Sequence, residues 1–383
     1  MKQVLATNFL ARLIQINTAG GNEKPLADFL ARQFKNHQID CKLIPVENNR
    51  SDLVAQIGSG EKPVIALSGH LDTVAIGNRK KWTFPPLGGY ISHKQMYGRG
   101  TSDMKAGLAA EILAMFNLKA DHLPTFGTLR LLATVGEETS PKNHMQGAKK
   151  LVEKGYLSDV CDLIIAEPFH QAIYPAHKGS LTYQIKSRGQ ATHSSTPQLG
   201  YNAITPLVGF YSQQQKYFTT LQKQNKFLGK TVPVVTQITG GKQLNTVPDY
   251  ASLVTKIRTI PEIKNQKILQ DLRCLIKNLN EKKKAQLTLT VLGNKAPVLT
   301  NPHSKLVKTL QAQSQICLDQ KLPVAGLAAG TDASEFIVGN PKLNLAILGP
   351  GNATAHKINE YVSLKNFLAY IKLYQSSIQK LLG

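Results

Sequence analysis

Short, continuously apolar runs limit the folds open to this chain more than any other feature does. They occur in the first part of the chain and again near its end: VIALS (64–68), TLRLLATV (128–135), LIIA (163–166) and LNLAIL (343–348). Such runs are typical of strands that are covered on both faces. Helix-like segments such as 105–118 and 305–317 accompany them, so the pattern predicts an α/β fold with a mostly parallel sheet flanked by helices.

The segment from 178 to 293 has a different texture. Its runs follow in the order strand, helix, strand, strand, helix, strand, which is the order of a ferredoxin-like α+β unit. The first pattern resumes after this segment, and a length of 383 residues favours two domains over one. We therefore predict a first domain built from 1–177 and 294–383, with a second domain, 178–293, inserted into it.

The chain is strongly basic, with 46 Lys and Arg residues against 24 Asp and Glu residues, a formal net charge of +22. The inserted segment alone holds 17 basic residues against 4 acidic ones, so it carries +13 of this excess. Such an excess attracts either nucleic acid or acidic small molecules. No nucleic-acid-binding motif accompanies the charge, which favours a small anionic ligand and no nucleic-acid partner.

Neither a membrane span nor a disulfide framework is predicted. No apolar stretch reaches the roughly 18 residues that a span needs, and the first residues, MKQVLATNFLARLIQINT, lack the long apolar segment and cleavage site of a secretion signal. The four cysteines are scattered without a CxxC pair, which argues against disulfides and against a cysteine-built zinc site. The expected location is the cytoplasm.

Ionisable residues follow the apolar runs. They are His70 and Asp72 after the first run, Asp103 in the Gly-rich loop before the helix at 105–118, Glu137 and Glu138 after the second run, Glu167 after the third and His356 after the last. Ligands of open α/β sheets bind outside the carboxyl ends of the strands, so these side chains are predicted to converge on one crevice. Imidazole nitrogens and carboxylate oxygens are zinc ligands, and paired metal ions catalyse hydrolysis.

Each of these residues also has an ordinary structural interpretation. The histidines fit surface or core positions, adjacent acids are commonly a solvated turn, and Glu167 before Pro168 fits a strand-end cap. Their joint occurrence at several strand ends favours the metal site. Within such a site His70 and Asp72 share one face of a strand, which suits an imidazole ligand whose second nitrogen is held by a carboxylate.

Five segments resemble the metal-binding and catalytic blocks of a known family: SGHLDTV, YGRGTSDMKAGLAA, ATVGEET, IAEP and HKINEYV. The family is that of the dinuclear zinc aminoacylases and carboxypeptidases, the M20-type peptidases. The most similar branch contains succinyl-diaminopimelate desuccinylase and acetylornithine deacetylase. The resemblance covers essentially the whole chain, and it implies a zinc-exopeptidase-like catalytic domain with an inserted dimerisation or lid domain.

The resemblance also implies a set of ligands and roles. Two Zn²⁺ or Co²⁺ ions per subunit would be held by two ligand sets that share Asp103, namely His70, Asp103 and Glu167 for one ion, and Asp103, Glu138 and His356 for the other. Asp72 would orient His70. Glu137 would be the general base, because a carboxylate that is not committed to a metal is the better base.

Further matches concern the substrate and the partner subunit. The block GQATHSSTPQLGYNAI resembles the family's dimerisation block, so His193 is expected to reach the neighbouring subunit's active site in a homodimer and stabilise the oxyanion. Asn245 resembles a substrate-contacting asparagine and Arg258 a carboxylate-binding arginine. Thr331 lies in the loop GLAAGTDASEF, the place of a substrate loop. Each of these residues also fits turn chemistry or a solvent-facing position.

These implications predict a cytoplasmic hydrolase of anionic N-acyl amino acids, with succinyl-diaminopimelate, from lysine and diaminopimelate biosynthesis, as the first candidate. One departure bears on the substrate, since Ser334-Glu335-Phe336 stands where desuccinylases have an arginine. Acetylornithine or another N-acyl amino acid is therefore an alternative, as is a metallo-dipeptidase or carboxypeptidase activity. A non-catalytic binding protein would be expected to lack at least one of the six metal-site and base residues.

Overall fold

The protein is described here from a computed structural model, which covers residues 3–47, 49–138, 145–283 and 286–383. The chain forms two compact units. The first comprises Met1–Ala176, Leu299–Gly326 and Thr331–Gly383, and the second comprises His177–Val298 and Leu327–Gly330. The sequence-based division instead sets its boundaries at 177/178 and 293/294 and leaves 327–330 in the first domain.

Helices cover both units. Their bounds are α1 Gln3–Gln15, α2 Lys24–Asn36, α3 Lys105–Ala120, α4 Gln146–Glu153, α5 Ile204–Thr220, α6 Asn265–Lys283, α7 Lys305–Cys317, α8 Ala333–Gly339 and α9 Leu364–Leu382. Within the described ranges, none of these helices has the length and apolar character to cross a membrane.

The strands of the first part of the chain are β1 Cys41–Glu47, β2 Arg50–Gly58, β3 Val64–His70, β4 Tyr90–Ser92, β5 Gln95–Tyr97, β6 Thr128–Thr134, β7 Val160–Ile165 and β8 Ile173–His177. The following strands are β9 Gly179–Arg188, β10 Gln224–Asn225, β11 Gly229–Lys230, β12 Val232–Gly240, β13 Tyr250–Thr259 and β14 Gln286–Lys295. The last are β15 Val298–Leu299, β16 Val324–Leu327, β17 Asn344–Ile347 and β18 Tyr361–Ser363.

The central sheet has nine strands in the order β1-β2-β6-β3-β7-β17-β8-β15, with β16 paired to β8. The middle strands β6, β3, β7 and β17 are parallel, and antiparallel pairs flank them on both sides. Both β3 and β6 are buried along their whole length, which explains why these strands are continuously apolar in sequence. The predicted α/β fold with a mostly parallel sheet is confirmed.

Helix α3 lies against this sheet and is buried on nearly every side. Gly107 in its first turns approaches the end of β7 so closely that a Cβ would collide with the carbonyl oxygen of Ala166. This close approach brings the start of α3, just after Asp103, next to the chain that continues into Glu167. The Nζ of buried Lys105 donates hydrogen bonds to the carbonyls of Leu13 and Ile16, at 2.9 and 2.7 Å, and so holds the end of α1.

The second unit contains a four-stranded antiparallel sheet in the order β12-β13-β9-β14, with α5 and α6 packed on it. Its own core includes Tyr183, Phe210 and Leu272, all fully buried. The elements follow the predicted order β-α-β-β-α-β, with the short pair β10–β11 added before β12. β12 forms one edge of the sheet and is mostly exposed.

Candidate functional site

Three parallel strands of the central sheet end close together, and polar residues follow their carboxyl ends. β3 lies between β6 and β7, and His70 at the end of β3 is opposite Thr134 at the end of β6. β7 ends nearby, at Ile165. Predicted site residues follow these strands: the predicted orienting residue Asp72, the predicted base Glu137, and the predicted ligands Glu138 and Glu167.

His70 is buried, with both ring nitrogens in defined surroundings. Nδ1 lies 2.9 Å from the carbonyl oxygen of Asp72, and Nε2 lies 3.1 Å from Oδ1 of Asp103. Because a carbonyl only accepts hydrogen bonds, Nδ1 carries a proton, and Nε2, which faces Asp103, is the nitrogen that would bind a metal ion after losing its own proton. Burial opposes the charged imidazole, but the hydrogen bond to Asp103 and the charges of Asp72 and Glu167 raise the pKa of His70 well above its usual range.

The main-chain carbonyl of Asp72 lies within hydrogen-bond distance of Nδ1 of His70, and its carboxylate lies somewhat farther from the same nitrogen. The carboxylate oxygen Oδ1 is 3.6 Å from Nδ1 of His70. It accepts from the backbone N–H groups of Gly136 and Glu137, at 3.0 and 3.2 Å, while Oδ2 accepts from the N–H of Glu138 at 2.9 Å. The carboxylate of Asp72 therefore fixes the turn that carries both glutamates.

Asp103 lies between two histidines, just before α3. Its Oδ1 is 3.1 Å from Nε2 of His70, and its Oδ2 is 3.1 Å from Nε2 of His356. Burial opposes ionisation, but the two imidazoles outweigh it and hold the pKa of Asp103 well below its usual range. A carboxylate with one oxygen toward each histidine has the geometry that the proposed bridging ligand requires.

Glu138 completes the cluster. Its Oε1 lies 2.6 Å from Nε2 of His356, and single ligand atoms of His70, Asp103 and Glu138 lie within 4.8 Å of one another. Hydrogen bonds to Asp103 and Glu138 raise the pKa of His356 to about 10. Burial and the charge of Asp103 raise the pKa of Glu138 to about 7.

The donor set fits a divalent metal ion of the zinc type. It offers the imidazole nitrogens of buried His70 and exposed His356 together with carboxylate oxygens, which are the ligands that zinc accepts in catalytic sites. Glu167, 5% exposed, adds a further acid: burial and the charge of Asp103 raise its pKa well above the usual range. Crowded buried acids repel one another, and a bound cation would relieve this repulsion.

The sequence reasoning missed two buried acids at this site. Asp332, at the start of α8, accepts a 2.6 Å hydrogen bond at Oδ2 from Thr134 at the end of β6. Burial and the charge of Glu137 raise the pKa of Asp332 to about 7. Glu360 is completely buried beside Asp103. Both acids lie in quoted segments, GTDASEF and HKINEYV, but neither sequence pattern indicates burial.

Of the remaining predicted contact residues, Thr331 belongs to the first unit and the others belong to the second. Thr331 is buried, and its Oγ1 accepts from the N–H of Ala333 at the start of α8. In the second unit, His193 and Asn245 are neighbours, because the segment of His193 pairs with that of Thr246. His193 is exposed, and its Nδ1 lies 2.7 Å from Oγ of Ser195.

Arg258 lies on β13, opposite Ser180 of β9, and is half-buried. Burial lowers the pKa of its guanidinium. Lys178 and Lys256 lie close to Arg258. Burial lowers the pKa values of both lysines, and the positive charge of Arg258 lowers them further. The described contacts of Arg258 join it to neither His193 nor Asn245.

Comparison with known proteins gives one family. Residues 66–380 match the model of peptidase family M20/M25/M40. A relative from Staphylococcus aureus strain MRSA252, named probable succinyl-diaminopimelate desuccinylase, is 38% identical over 400 residues, covering 97% of this chain and 96% of the relative.

Solved structures with the same fold are more distant in sequence. The aminopeptidase PepT from Bacillus cereus superposes with a TM-score of 0.79 at 18% identity and covers 100% of both chains. The YXEP protein from Bacillus subtilis, described as a dinuclear metal binding peptidase, superposes with a TM-score of 0.73 at 16% identity over 99% of this chain and 98% of its own. The resemblance read from the sequence blocks is confirmed, and the chain belongs to peptidase family M20/M25/M40.

Proposed function

We propose that the chain is a metal-dependent hydrolase of the amide bond in N-acyl amino acids, with succinyl-diaminopimelate as its substrate. The observation that carries the proposal is a cluster of four side chains at the carboxyl ends of the parallel strands: His70, Asp103, Glu138 and His356. These four side chains bring imidazole nitrogens and carboxylate oxygens close together, and such a set is suited to binding a metal ion. The name of the relative from Staphylococcus aureus supports the substrate and a place in lysine or diaminopimelate biosynthesis.

Two ligand sets share Asp103 in this proposal. His70, Asp103 and Glu167 hold one ion, and Asp103, Glu138 and His356 hold the other. Zinc or cobalt fits this donor set, and the dinuclear metal binding of the YXEP protein supports a pair of ions. When bound, such ions polarise the amide carbonyl and lower the pKa of water.

Glu137 is the general base in this proposal. Its neighbour Glu138 already contacts His356. The backbone N–H of Glu137 donates to Asp72, which fixes its position in the turn. From this position the negative charge of Glu137 raises the pKa values of three nearby acids, Glu138, Glu167 and Asp332. A carboxylate in this position takes the proton of the attacking water and returns it to the leaving amine.

Substrate contacts are assigned to the second unit and to the loop before α8. Arg258 binds a substrate carboxylate, Asn245 and Thr331 contact the substrate, and His193 donates to the developing oxyanion. The closeness of His193 and Asn245 supports a joint role. The basic excess of the second unit supports an anionic substrate.

A cytoplasmic homodimer through the second unit forms part of the proposal. β12 is the edge of its sheet and exposes Val232, Val234 and Ile238, at 47%, 51% and 59%. Exposed apolar residues on a sheet edge favour pairing with a second copy.

Glu335 supports a second candidate, an enzyme that removes an uncharged acyl group such as acetyl. It stands where desuccinylases have an arginine, which would weaken binding of an acyl carboxylate. However, Oε1 of Glu335 lies 3.8 Å from Nζ of Lys149, and this lysine offsets part of its charge.

A substrate panel tests the proposal. Protein stripped by a chelator and reconstituted with Zn²⁺ or Co²⁺ is assayed with N-succinyl-diaminopimelate, N-acetylornithine and unblocked dipeptides. We expect hydrolysis of the succinyl substrate that depends on added metal. Turnover of N-acetylornithine alone would select the second candidate, and turnover of dipeptides alone would reject deacylation.

A further inference from the structure

Glu360 follows the loop of His356 and has no exposed surface. Its Oε1 accepts hydrogen bonds from the backbone N–H groups of Gly100, Ser102 and Asp103, at 3.1, 2.8 and 3.0 Å. Burying a carboxylate is costly unless its oxygens are hydrogen-bonded. Because all three donors belong to the loop that presents Asp103, this carboxylate fixes the backbone of that loop.

Strand pairing explains how Glu360 reaches this position. β18 pairs antiparallel with β5, and Tyr361 is opposite Tyr97. The backbone N–H of Gly98 donates to the carbonyl of Glu360 at 2.9 Å, which extends the pairing by one step. The pairing places the side chain of Glu360 against the residues that lead to Asp103.

Arg99 joins the same carboxylate to the loop of His356. Its Nη1 lies 2.5 Å from Oε2 of Glu360, and both side chains are buried. Its Nη2 donates to the carbonyl of His356 at 3.4 Å, and its guanidinium lies 5.3 Å from the centre of the Trp82 ring. The buried ion pair therefore contacts the backbone of both loops that carry candidate ligands.

A second link connects these loops. Oγ of Ser102 donates to the carbonyl of Asn352 at 3.0 Å and accepts from its N–H at 2.8 Å. His356 itself has φ of 66°, a left-handed conformation that a residue with a side chain adopts only where its surroundings hold it. The contacts of Ser102 and Arg99 are such surroundings.

We infer that Glu360, together with Arg99, is a positioning residue that sets the separation of Asp103 and His356 and thereby the affinity of the site for metal. The inference rests on the proposed function, since it concerns the ligands of the same site. Both side chains are buried, at 0% and 3% exposure, so they act through the loops and not by contact with substrate. Residues that orient ligands in this way typically change metal affinity or activity by about 10- to 100-fold when replaced.

The test compares two buried carboxylates. Glu360→Gln keeps the shape of the side chain but removes the charge that faces Arg99 and three N–H donors. Glu23→Gln is the matched control, because Glu23 is also completely buried and pairs with a buried arginine, Arg50, through both oxygens at 3.0 and 2.7 Å. Among the described residues, the hydrogen bonds of this ion pair reach neither loop of the candidate ligands.

Three quantities are measured on the full chain after removal of metal: the affinity for Co²⁺ by chelator competition, the visible spectrum of the Co²⁺-loaded protein, and the unfolding temperature without metal. We expect both variants to unfold at lower temperature than wild type. Only Glu360→Gln should bind Co²⁺ about 10- to 100-fold more weakly and show altered absorption bands, because only its ligand loops are released.

Each other outcome has a definite meaning. Wild-type protein that binds no Co²⁺ would reject the proposed function, and this inference with it. Wild-type binding with unchanged Co²⁺ affinity and spectrum in Glu360→Gln would leave the proposed function standing and reject the inference alone. If Glu360→Gln does not fold, Arg99→Lys replaces it, since it keeps the positive charge beside Glu360 but removes the guanidinium that also reaches the carbonyl of His356. Unchanged Co²⁺ affinity and spectrum in that variant would likewise reject the inference.

Discussion

Two adjacent glutamates, Glu137 and Glu138, have different surroundings, and the proposed function gives them different tasks. Glu138 contacts His356 at 2.6 Å, in the cluster around Asp103. Glu137 is held through its backbone N–H by Asp72. A ligand and a base can therefore be separated by mutation, although they are neighbours in the chain.

Glu137→Gln is expected to leave the metal content nearly intact and to lower kcat by about 10²- to 10⁴-fold, because an amide cannot take up the proton of water. Metal analysis and steady-state kinetics on the same sample measure both quantities. Glu138→Gln is the comparison and should lose metal. Loss of metal from Glu137→Gln together with retention in Glu138→Gln would show that ligand and base are interchanged.

Glu111 on α3 gives a pH-dependent prediction. Burial raises its pKa in the folded protein well above the ordinary value of 4.5, and the backbone N–H of Ser68 offsets this only in part. The folded chain therefore holds a proton that the unfolded chain has released above about pH 4.5. The stability that this proton contributes is present below that pH and is lost as the pH rises toward the folded pKa.

Glu111→Gln, a neutral side chain of the same shape, should accordingly raise the unfolding temperature more at pH 8 than at pH 5. The difference in unfolding free energy between Glu111→Gln and wild type grows by up to about 1.4 kcal/mol for each unit of rising pH in this range. Thermal unfolding of the metal-free protein at several pH values measures it. Glu153→Gln, at an exposed position of α4, controls for the substitution itself. An equal effect of Glu111→Gln at both pH values would contradict the prediction.

The helices and strands are the part of the structure that the sequence predicts best. Continuous apolar character identifies β3 and β6 because both faces of these strands are buried. The elements of the second unit appear in the predicted order. The pattern of apolar residues does not show which distant segments pair with each other. The pairing of β5 with β18, which buries Glu360, is an example. In sequence, Glu360 resembles any glutamate of a polar loop.

The exposed edge β12 carries a prediction about assembly. Replacing Val234 and Ile238 together by lysine places two charges on the edge that the proposed homodimer covers, and charged edges resist pairing. The double variant should elute as a monomer, with unfolding temperature close to that of wild type, whereas wild type elutes as a dimer. Light scattering during gel filtration measures the mass.

Val4→Lys is the control for this assembly prediction, since Val4 is an equally exposed apolar residue, 66% exposed, on α1 of the other unit. It should leave the dimer intact. A wild-type mass near the 41.9 kDa of one chain would reject the homodimer, and a double variant that remains dimeric would show that β12 is not the interface.

The family and the fold class were predictable for the whole molecule because three of the five sequence blocks, SGHLDTV, ATVGEET and IAEP, adjoin strand ends that the central sheet brings together. The contacts that hold those blocks in place were not predictable from the sequence. Asp72 shows why: its carboxylate lies 3.6 Å from Nδ1 of His70, as strand alternation predicts, but it also accepts hydrogen bonds from three backbone N–H groups of another loop. Loop backbone donors have no sequence signature.

The role of His193 across subunits concerns the whole assembly. His193 is exposed in a single chain. Its segment pairs with the segment of Asn245, so the two residues are neighbours. Both are therefore accessible to a second copy of the chain. If His193 acts in the neighbouring active site, His193→Ala lowers kcat with metal retained. A chain with Glu137→Gln keeps His193 but lacks the base, so each variant supplies what the other lacks.

Subunits of the two variants are therefore mixed in equal amounts and allowed to exchange. In a symmetric dimer half of the molecules become mixed, and one of their two sites is complete, so activity should recover to roughly one quarter of wild type. Each variant taken alone through the same exchange is the control and should remain inactive. If the mixture is no more active than these controls although exchange is verified by mass, His193 acts within its own chain, and the assignment across subunits is wrong.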